Sequence, residues 1–384
     1  MRTEVLVVGG GPAGSTAARM LAREHEVSLV EEHRTPGEPL QCAGLVTNRG
    51  IPQFAEECIL GHVRGARLHS PLGYALELDG KSTRACVIDR AHFDKIMFHK
   101  AVDEGAVPRL GATVRGLVHH DRNVSYELRV EGRSELLLAD VVIGADGYKS
   151  VCRRDTHLPP PRNMLTGIQI DLKGVDLQPD FVELYFGRNV APGFFAWAIP
   201  AEDLTRVGLC TWDAEFAPAA YLKKFLSRPE FAKARRVSMS SGKIPIGPGK
   251  TAVSGRVVLV GDAACHAKPL SGGGVFTGVR GAELCSSVVH EFLSDGDTGL
   301  SRFDSLWKEE FGKELSRAFR IRKVFLNLSD KKIDKALRIF SEPDVRQLLE
   351  RHGDIDYPAS LSSSVLKLAP KLAQFSPQII ESLL

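Results

Sequence analysis

The sequence predicts an α/β protein. A Rossmann-like, dinucleotide-binding domain with a parallel sheet carries an inserted antiparallel-sheet domain and a helical C-terminal region. The apolar run at 5–8 leads into a glycine-rich turn, and the apolar runs at 136–143 and 256–260 lead into Gly-Ala-Asp and Gly-Asp. Continuous apolar runs of this length are typical of buried parallel strands. Between them, residues 158–242 have the pattern of short strands separated by turn residues.

The first two domains are expected to interleave along the chain. A cavity between a nucleotide-binding domain and an antiparallel sheet is the usual place for a substrate. The expected boundaries are 1–65, 85–157 and 243–300 for the dinucleotide-binding domain, 66–84 and 158–242 for the substrate domain, and 301–384 for the helical region, closing with a short helix at 379–384.

The composition excludes several protein classes. The 384 residues are 43% apolar and 25% charged, which argues against disorder and fibres. Lys and Arg number 50 against 47 Asp and Glu, so we expect no nucleic-acid partner. The 7 cysteines form neither a C-x-x-C pair nor a zinc-spaced array, which predicts a reduced protein with no metal site. Without a signal peptide or membrane-length apolar run, we expect a cytoplasmic protein, free or peripheral on the cytoplasmic membrane face.

The first strand is followed by a turn with the backbone properties that a pyrophosphate needs. Gly9 makes the tight turn, Gly11 lets backbone N–H groups approach the anion, and Gly14 allows close packing of helix on strand. The second apolar strand, at 27–30, ends in Glu31, whose carboxylate can accept hydrogen bonds from a ribose diol. No arginine is placed for a 2′-phosphate, which argues against NADP in this site.

Two later segments indicate a cofactor longer than a simple dinucleotide. Asp146 and Asp262 follow buried strands, where a carboxylate can bind ribose or ribityl hydroxyls. Gly272-Gly273-Gly274 then opens a helix of small residues from about Val275 to Phe292. Backbone N–H groups at its start can face the pyrimidine edge of a flavin.

These residues resemble the FAD flavoprotein superfamily that includes aromatic hydroxylases of the p-hydroxybenzoate hydroxylase type. Three FAD fingerprints match the glycine turn with Glu31, the Gly144–Gly147 motif and Gly261-Asp262. The stretch VIDRAHFD resembles the family segment whose arginine, here Arg90, contacts the cofactor. The resemblance implies FAD. No second G-x-G-x-x-G motif follows a strand, so electrons are expected from a transient donor, either NAD(P)H or a ferredoxin-like protein.

Three further motifs resemble the geranylgeranyl reductase family. These are the P-x-x-C-A-G loop at Pro39–Gly44, Tyr185-Phe186-Gly187, and A-P-G-F-F-A-W-A-I-P at 191–200. Phe195 stands where the family usually has Tyr, and Ile199 where it usually has Phe, so the cavity lacks a phenol donor. The resemblance implies substrate contacts from Phe195, Trp197 and Ile199. It implies cofactor contacts from Gly9, Gly11, Ala13, Gly14, Glu31, Cys42, Ala43, Gly44, Arg90, Val114, Asp146, Asp262, Gly273, Gly274 and Val275.

The activity implied is flavin-dependent hydrogenation of C=C bonds in polyprenyl chains, foremost those of archaeal-type ether-lipid precursors. Flavin N5 would deliver hydride to one alkene carbon, and an acid would protonate the other. Cys42 is the expected proton donor, because a thiol carries no charged-acid desolvation cost in an apolar pocket. The alternative is an inert thiol whose backbone touches the flavin. A menaquinone side chain is the alternative acceptor.

Other activities of the superfamily stay open. Hydroxylases usually carry Gly-Gln-Gly with a following Asn, where this chain has Gly272–Gly274 followed by Val275-Phe276. Phe195–Pro200 is one residue from the W-x-W-x-I-P motif of flavin-dependent halogenases, which also need a lysine at the substrate end of a tunnel. A flavin-binding or lipid-carrier protein without catalysis is a third alternative. The loop around Cys42 favours the reductase.

A basic stretch at 308–338 raises the question of a membrane surface. Lys and Arg outnumber Asp and Glu there, and apolar residues are interleaved. A basic amphipathic helix suits anionic lipid surfaces. The basic residues of this stretch include Arg317, Arg320, Arg322, Lys323, Lys331 and Lys332. A solvated helix that covers the core fits the pattern equally well.

Overall fold

The computed structural model describes residues 2–161, 163–247, 249–295 and 299–357. The strands, in chain order, are β1 (Arg2–Val8), β2 (Val27–Glu31), β3 (Leu45–Val46), β4 (Ile59–Val63), β5 (Gly65–His69), β6 (Ala75–Asp79), β7 (Ala85–Ile88), β8 (Val107–Leu110), β9 (Ala112–His119), β10 (Val124–Val130), β11 (Arg133–Gly144), β12 (Asn163–Lys173), β13 (Phe181–Tyr185), β14 (Ala196–Ala201), β15 (Leu204–Thr211), β16 (Arg235–Ile246), β17 (Val253–Ser254) and β18 (Val257–Leu259). The α-helices are α1 (Pro12–Leu21), α2 (Arg90–Asp103), α3 (Val151–Asp155), α4 (Pro218–Phe225), α5 (Val275–Asp295), α6 (Arg302–Trp307), α7 (Lys313–Leu326), α8 (Asp330–Phe340) and α9 (Pro343–His352).

The first sheet has the strand order β17-β18-β11-β1-β2-β8, and its neighbours from β18 to β8 run parallel. The parallel sheet predicted from the apolar runs is therefore confirmed. Val8 of β1 lies opposite Val30 of β2 and Gly144 of β11, and Gly144 lies opposite Leu259 of β18. Because the strands are parallel, the residues that follow them meet at one edge of the sheet. The glycine turn therefore lies at the same edge as Glu31, Asp146 and Asp262, which lie at or after the ends of β2, β11 and β18.

The second sheet has the order β16-β12-β15-β14-β13-β5-β6, and Ile246 at the end of β16 bridges to Ala267 in the segment after β18. All its pairs are antiparallel except β13 with β5. On one face, Ile168 and Ile170 of β12 pack with Leu222 and Phe225 of α4. The other face carries the alternate residues of β12, among them Leu165. The predicted inserted antiparallel sheet is thus present, with one parallel pair that the sequence did not indicate.

A third, three-stranded sheet joins the two larger ones, in the order β3-β7-β4. Ala85 and Val87 of β7 pack with Val182 and Ile199 of the second sheet. The sequence analysis did not predict this sheet, because its strands have only two to five residues. It holds the loop at 39–44 between the large sheets.

The C-terminal region is helical from α6 to α9, as expected. In α7, Leu315, Ala318 and Arg322 are the buried residues. The interpretation that placed Arg322 on a basic outer surface is wrong, since its side chain is only 3% exposed. Residues three, four and seven positions apart share one face of a helix, so Arg322 turns inward while Arg320 and Lys323 remain exposed.

The predicted long helix from about residue 275 is α5, which reaches residue 295. The closing helix expected at 379–384 lies outside the described residues. Within the described ranges, none of the helices combines the length and apolar character that a bilayer-crossing segment requires.

Candidate active site

The turn between β1 and α1 has the backbone geometry of a pyrophosphate site. Gly9 has a φ of +104°, which favours glycine, and a Cβ there would overlap the Ala145 carbonyl oxygen. A Cβ at Gly14 would overlap the carbonyl oxygen of Gly9. By contrast, a Cβ at Gly11 would meet no atom within 4 Å. Two glycines therefore close the turn, and the third leaves open space at the N-terminus of α1, where an anion is stabilised.

Glu31 ends β2 beside this turn. Its Oε2 accepts a hydrogen bond from the Gly10 N–H at 2.8 Å, and its Oε1 accepts one from the His33 N–H at 2.9 Å. The His33 ring nitrogen Nδ1 lies 2.7 Å from the same Oε1. The protein thus fixes the carboxylate next to the glycine turn, and its contact with a ribose stays a prediction.

Asp146 lies on the other side of the turn, at the start of α3. Its Oδ1 accepts from Ser150 Oγ at 2.6 Å, and its Oδ2 accepts from the Cys152 N–H at 3.1 Å. Burial raises the pKa of Asp146, although these hydrogen bonds act in the opposite direction. Both carboxylate oxygens of Asp146 therefore already accept hydrogen bonds from the protein. This leaves less capacity for the ribityl hydroxyl that the sequence predicted as a partner.

Asp262 follows β18 and faces the glycine loop before α5. Its Oδ1 lies 3.2 Å from the position that a Cβ of Gly274 would take, and Gly261 beside it packs on Ala13. Burial raises the pKa of Asp262 to about 6, against the positive charge of Arg90. Within the described ranges, no side-chain or backbone donor reaches this carboxylate. A buried acceptor without a donor fits a cofactor hydroxyl, and the residues present therefore fit FAD.

The loop before α5 connects the cofactor site to the second sheet. The Lys268 N–H donates to the Gly273 carbonyl at 3.0 Å, and the Gly272 N–H donates to the Lys268 carbonyl at 2.9 Å. The Lys268 ammonium is buried and donates to Asp356 Oδ1 at 2.6 Å. A Cβ at Gly272 would lie 3.4 Å from the ring of Phe194. Lys268 could not be predicted as a site residue, because its partner is 88 residues away.

Arg90 opens α2 and is held by Asp94. Its Nε and Nη2 donate to the two carboxylate oxygens at 3.0 and 2.9 Å. Burial alone would lower the pKa of Arg90, but the Asp94 carboxylate and then the Cys42 thiol raise it. The Cys42 sulfur therefore lies close to this guanidinium. Two residues that the sequence assigned to the site are brought together.

The loop that carries Cys42 rests on Arg206 of β15, a residue that sequence reasoning missed. Arg206 Nη1 donates to the carbonyl oxygens of Ala43 and Ile88 at 2.8 and 2.9 Å. Gly44 has a φ of +71°, and a Cβ there would overlap that Nη1. Burial lowers the pKa of Arg206, while the Cys42 thiol acts in the opposite direction. A second guanidinium thus lies near the half-buried Cys42 sulfur.

The face of the second sheet that meets this loop is apolar at one end. Leu165, Phe195 and Cys210 lie in one apolar cluster, and Phe195 stacks on Phe194 with ring centroids 4.2 Å apart. Trp197 lies in this cluster and also in the cluster that includes β7. The structure therefore brings Phe195 and Trp197 together on one wall, and their contact with a substrate stays a prediction.

The other end of the same face is polar. Trp197 Nε1 donates to Gln169 Oε1 at 3.1 Å, and Ser238 Oγ donates to Asp171 Oδ2 at 2.6 Å. Gln169 and Asp171 are buried, and Asp171 lies opposite Arg206 in the strand register. Sequence reasoning missed this network, although two polar residues alternating with apolar ones in β12 are its signal.

Three expected site residues lie in packed surroundings. Ile199 is 3% exposed and packs with Val87 in the cluster that joins the second and third sheets. Val114 is also 3% exposed, within the core of the first sheet. Val275 begins α5 and is partly buried against the cluster that contains Val46. Their contacts with substrate or cofactor stay predictions.

Comparison with known proteins gives the family. The FAD binding domain family matches residues 2–228. An uncharacterized protein of Methanocaldococcus jannaschii is 32% identical over 375 residues, with 95% of each chain covered. A digeranylgeranylglycerophospholipid reductase of Methanosarcina acetivorans is 31% identical over 355 residues, with 86% of each chain covered.

A solved structure shares the fold. The geranylgeranyl bacteriochlorophyll reductase-like protein of Thermoplasma acidophilum superimposes with a TM-score of 0.86 at 23% identity, covering 97% of this chain and 99% of that one. The chain therefore belongs to the geranylgeranyl reductase family of FAD-binding flavoproteins, and it is an FAD-dependent oxidoreductase.

Proposed function

We propose that this oxidoreductase saturates C=C bonds in the geranylgeranyl chains of an archaeal-type ether-lipid precursor. The observation that carries the proposal is the apolar end of the sheet face, where Leu165 and Phe194 lie beside the loop at Gly272 and Phe195 stacks on Phe194. An isolated alkene has no polar group to recognise, so an apolar wall next to the cofactor loop suits it. The relatives named digeranylgeranylglycerophospholipid reductases support the lipid class.

Burial of the chain cannot by itself supply the binding energy. Moving a five-carbon isoprene unit from water into an apolar site is worth about 4 kcal/mol, at about 0.8 kcal/mol per methylene. A lipid that arrives from a bilayer is already in hydrocarbon, and most of this gain disappears. The wall formed by Phe195 and Trp197 therefore acts mainly by holding the alkene in place and excluding water.

The chemistry requires a hydride and a proton. Reduced FAD, when bound, supplies the hydride to one alkene carbon. Cys42 would give the proton to the neighbouring carbon, which forms the second C–H bond and leaves a thiolate that water reprotonates. The guanidinium groups of Arg90 and Arg206 lie near the sulfur and would stabilise that thiolate.

Cys42 also has a structural role that a variant must separate from catalysis. Its sulfur accepts a hydrogen bond from the Gly44 N–H at 3.3 Å. We expect Cys42→Ala to lower the rate of alkene reduction by about 10²-fold or more, because proton transfer by a positioned group contributes about 10²–10⁴-fold. In Cys42→Ser, the hydroxyl oxygen can still accept the hydrogen bond from the Gly44 N–H. The hydroxyl is a weaker acid than the thiol that it replaces.

Single-turnover reduction under anaerobic conditions measures this effect. FAD content and its absorbance spectrum should stay unchanged in both variants. A near-normal rate in Cys42→Ala would remove the donor role and leave Cys42 as a support of the loop.

The function itself is tested with a defined lipid. The enzyme is reduced with dithionite without oxygen and mixed with a bis-geranylgeranyl glycerol ether phospholipid. We expect a mass gain of two for each saturated bond, and no gain with the oxidised enzyme. A menaquinone added in parallel tests the other isoprenoid acceptor. Product formed only in air, without alkene reduction, would contradict the proposal.

A flavin-dependent halogenase is the second candidate, and one observation favours it. Lys268 is a buried lysine beside Gly273, and a halogenase needs a lysine within its tunnel. Its ammonium, however, is paired with Asp356 and also donates to the Ile355 carbonyl oxygen. An aerobic incubation with bromide and an electron-rich aromatic substrate separates the two activities, and it also detects an aromatic hydroxylase.

Electron supply and membrane binding are also proposals. A ferredoxin-like protein or NAD(P)H would reduce the FAD, and anaerobic bleaching of the flavin absorbance with each donor compares them. Arg320, Lys323, Lys331 and Lys332 are exposed and would face anionic lipid. Flotation with vesicles that contain anionic phospholipid should carry the protein upward. Equal flotation with neutral vesicles would contradict this surface.

A further inference from the structure

Arg322 is a buried cation on the inner face of α7. Its side chain is 3% exposed, and Leu315 and Ala318 are the other buried residues of this helix. Its Nη2 donates to the Gly193 carbonyl oxygen at 2.9 Å, and its guanidinium carbon lies 5.3 Å above the ring of Phe194. A charge placed among apolar residues costs free energy unless it is paired, so its retention needs a reason.

The hydrogen-bonding capacity of Arg322 is largely unused. A guanidinium has five N–H donors, and in the described part of the chain its side chain reaches only the Gly193 carbonyl and no carboxylate. The other buried arginines are better satisfied. Arg153 donates to Ala263 and Pro159 and lies near the Cys265 sulfur, and Arg206 donates to two carbonyls.

Arg322 stays charged at neutral pH. Burial lowers its pKa to about 10, and the nearby Cys210 thiol acts in the opposite direction. At neutral pH the guanidinium is therefore still protonated. It can form bidentate hydrogen bonds with an oxyanion, which a lysine ammonium cannot do.

Arg322 adjoins a cavity, because Gly193, whose carbonyl oxygen accepts its hydrogen bond, belongs to the cavity wall. A cavity of about 560 Å³ is lined by Gly193, Trp212 and Leu326, and Trp212 also contacts the apolar cluster of Phe195. The rim of this cavity carries both charge signs, with Arg188 and Lys224 against Asp213 and Glu215. The rim therefore does not select an anion, and the buried cation next to the cavity is Arg322, which contacts the wall at Gly193.

We propose that Arg322 binds the phosphate-type head group of the lipid whose isoprenoid chain lies along the apolar wall. The inference rests on the proposed function and names the group that supplies the binding energy that burial cannot. Along β15, Cys210 near Arg322 and Arg206 below the Cys42 loop are four residues apart, which is about 13 Å in a strand. A head group held at Arg322 thus determines which double bond reaches Cys42.

The test compares two substrates that differ only in the phosphate, geranylgeranyl monophosphate and geranylgeraniol. We expect Arg322→Met to raise KM for the phosphate by about tenfold or more, since a hydrogen bond to a charged group is worth about 1.5–3 kcal/mol. The kcat for both substrates and the KM for geranylgeraniol should stay near the wild-type values. Arg322→Lys should restore part of the affinity. Lys233→Met, which removes an exposed charge outside the basic stretch at 308–338, should change neither substrate's KM.

Binding to the oxidised enzyme, followed by the change in flavin absorbance, gives a readout without turnover. The monophosphate should bind wild type more tightly than Arg322→Met, and inorganic phosphate alone should compete weakly. Strong binding of inorganic phosphate would indicate a free-phosphate site and overturn the head-group assignment. Equal losses for phosphate and alcohol, with a lower Tm, would show a structural role and overturn it as well. A wild-type enzyme that reduces neither substrate but binds the phosphate through Arg322 would contradict only the proposed function.

Discussion

At the scale of single residues, the positions of the glycine turn and of the strand-end acids could be predicted from the sequence. The hydrogen-bond partners of buried side chains could not. Gly9, Gly14 and Asp262 lie where their spacing placed them, because turns and strand ends are local features. Arg206 and Arg322 were missed or misplaced because their partners come from other segments, such as the Gly193 carbonyl oxygen for Arg322. The available signal for Arg322 was its position seven residues after Leu315, on the apolar side of the helix.

Asp262 gives a prediction about pH at this scale. Its pKa is raised from an ordinary 3.8 to about 6, so without cofactor the folded state binds a proton that the unfolded state releases. Between these two values the stability of the apoprotein should fall as pH rises, and above about 6 this contribution should level off. FAD hydroxyls that donate to the ionised carboxylate should make FAD binding tighter as pH rises through the same range.

Urea unfolding of the apoprotein and FAD titration at several pH values measure both effects. Asp262→Asn should remove the contribution between about pH 4 and 6 from each profile. A profile identical to wild type in that variant would show that another group is responsible.

At the scale of elements, apolar runs and glycine positions determined what could be predicted. The parallel strands β1, β11 and β18 and the long helix α5 have continuous or periodic patterns. The short strands β3, β4 and β7 have neither and escaped prediction. The β13–β5 parallel pair was also out of reach, because the pairing of strands far apart in the chain depends on tertiary packing rather than local pattern.

The turn between β1 and α1 allows two glycine variants to be contrasted. Gly14→Ala puts a Cβ onto the Gly9 carbonyl and should destabilise the apoprotein by about 1–3 kcal/mol, the usual cost of overpacking. Gly11 has an ordinary φ of −72° and open space around it, so Gly11→Ala should leave the apoprotein stability within about 0.5 kcal/mol. It should still weaken FAD binding, because the methyl group occupies the space left for the pyrophosphate. Unfolding curves and FAD titrations separate these effects, and unchanged FAD affinity in Gly11→Ala would place the pyrophosphate elsewhere.

At the scale of the whole molecule, contacts between distant segments complete the site. Asp356 is 1% exposed, receives a hydrogen bond from Thr47 at 2.6 Å and pairs with Lys268. It thereby ties the C-terminal region to the loop before α5 and to the loop after β3. The sequence could assign a helical C-terminal region but not this contact, which lies in a short segment without a periodic pattern.

The buried pair predicts a clear difference between two Lys→Met variants. Lys268→Met leaves the Asp356 carboxylate without its closest cation and should lower the free energy of unfolding by about 3 kcal/mol. Lys95→Met breaks an exposed pair with Glu38 and should cost less than about 1 kcal/mol. Urea unfolding with FAD bound compares them. Equal, small effects would show that Arg49, which also contacts Asp356, compensates fully.

The Lys268–Asp356 contact has a consequence for the order of events during synthesis. The two residues are 88 positions apart, and at about 5–20 residues per second the ribosome needs roughly 4–18 s to cover that distance. During this interval the glycine loop is already translated but lacks its carboxylate support. Stable loading of the cofactor is thus expected only after Asp356 has been added, which makes assembly of the holoenzyme a late step in the life of the nascent chain.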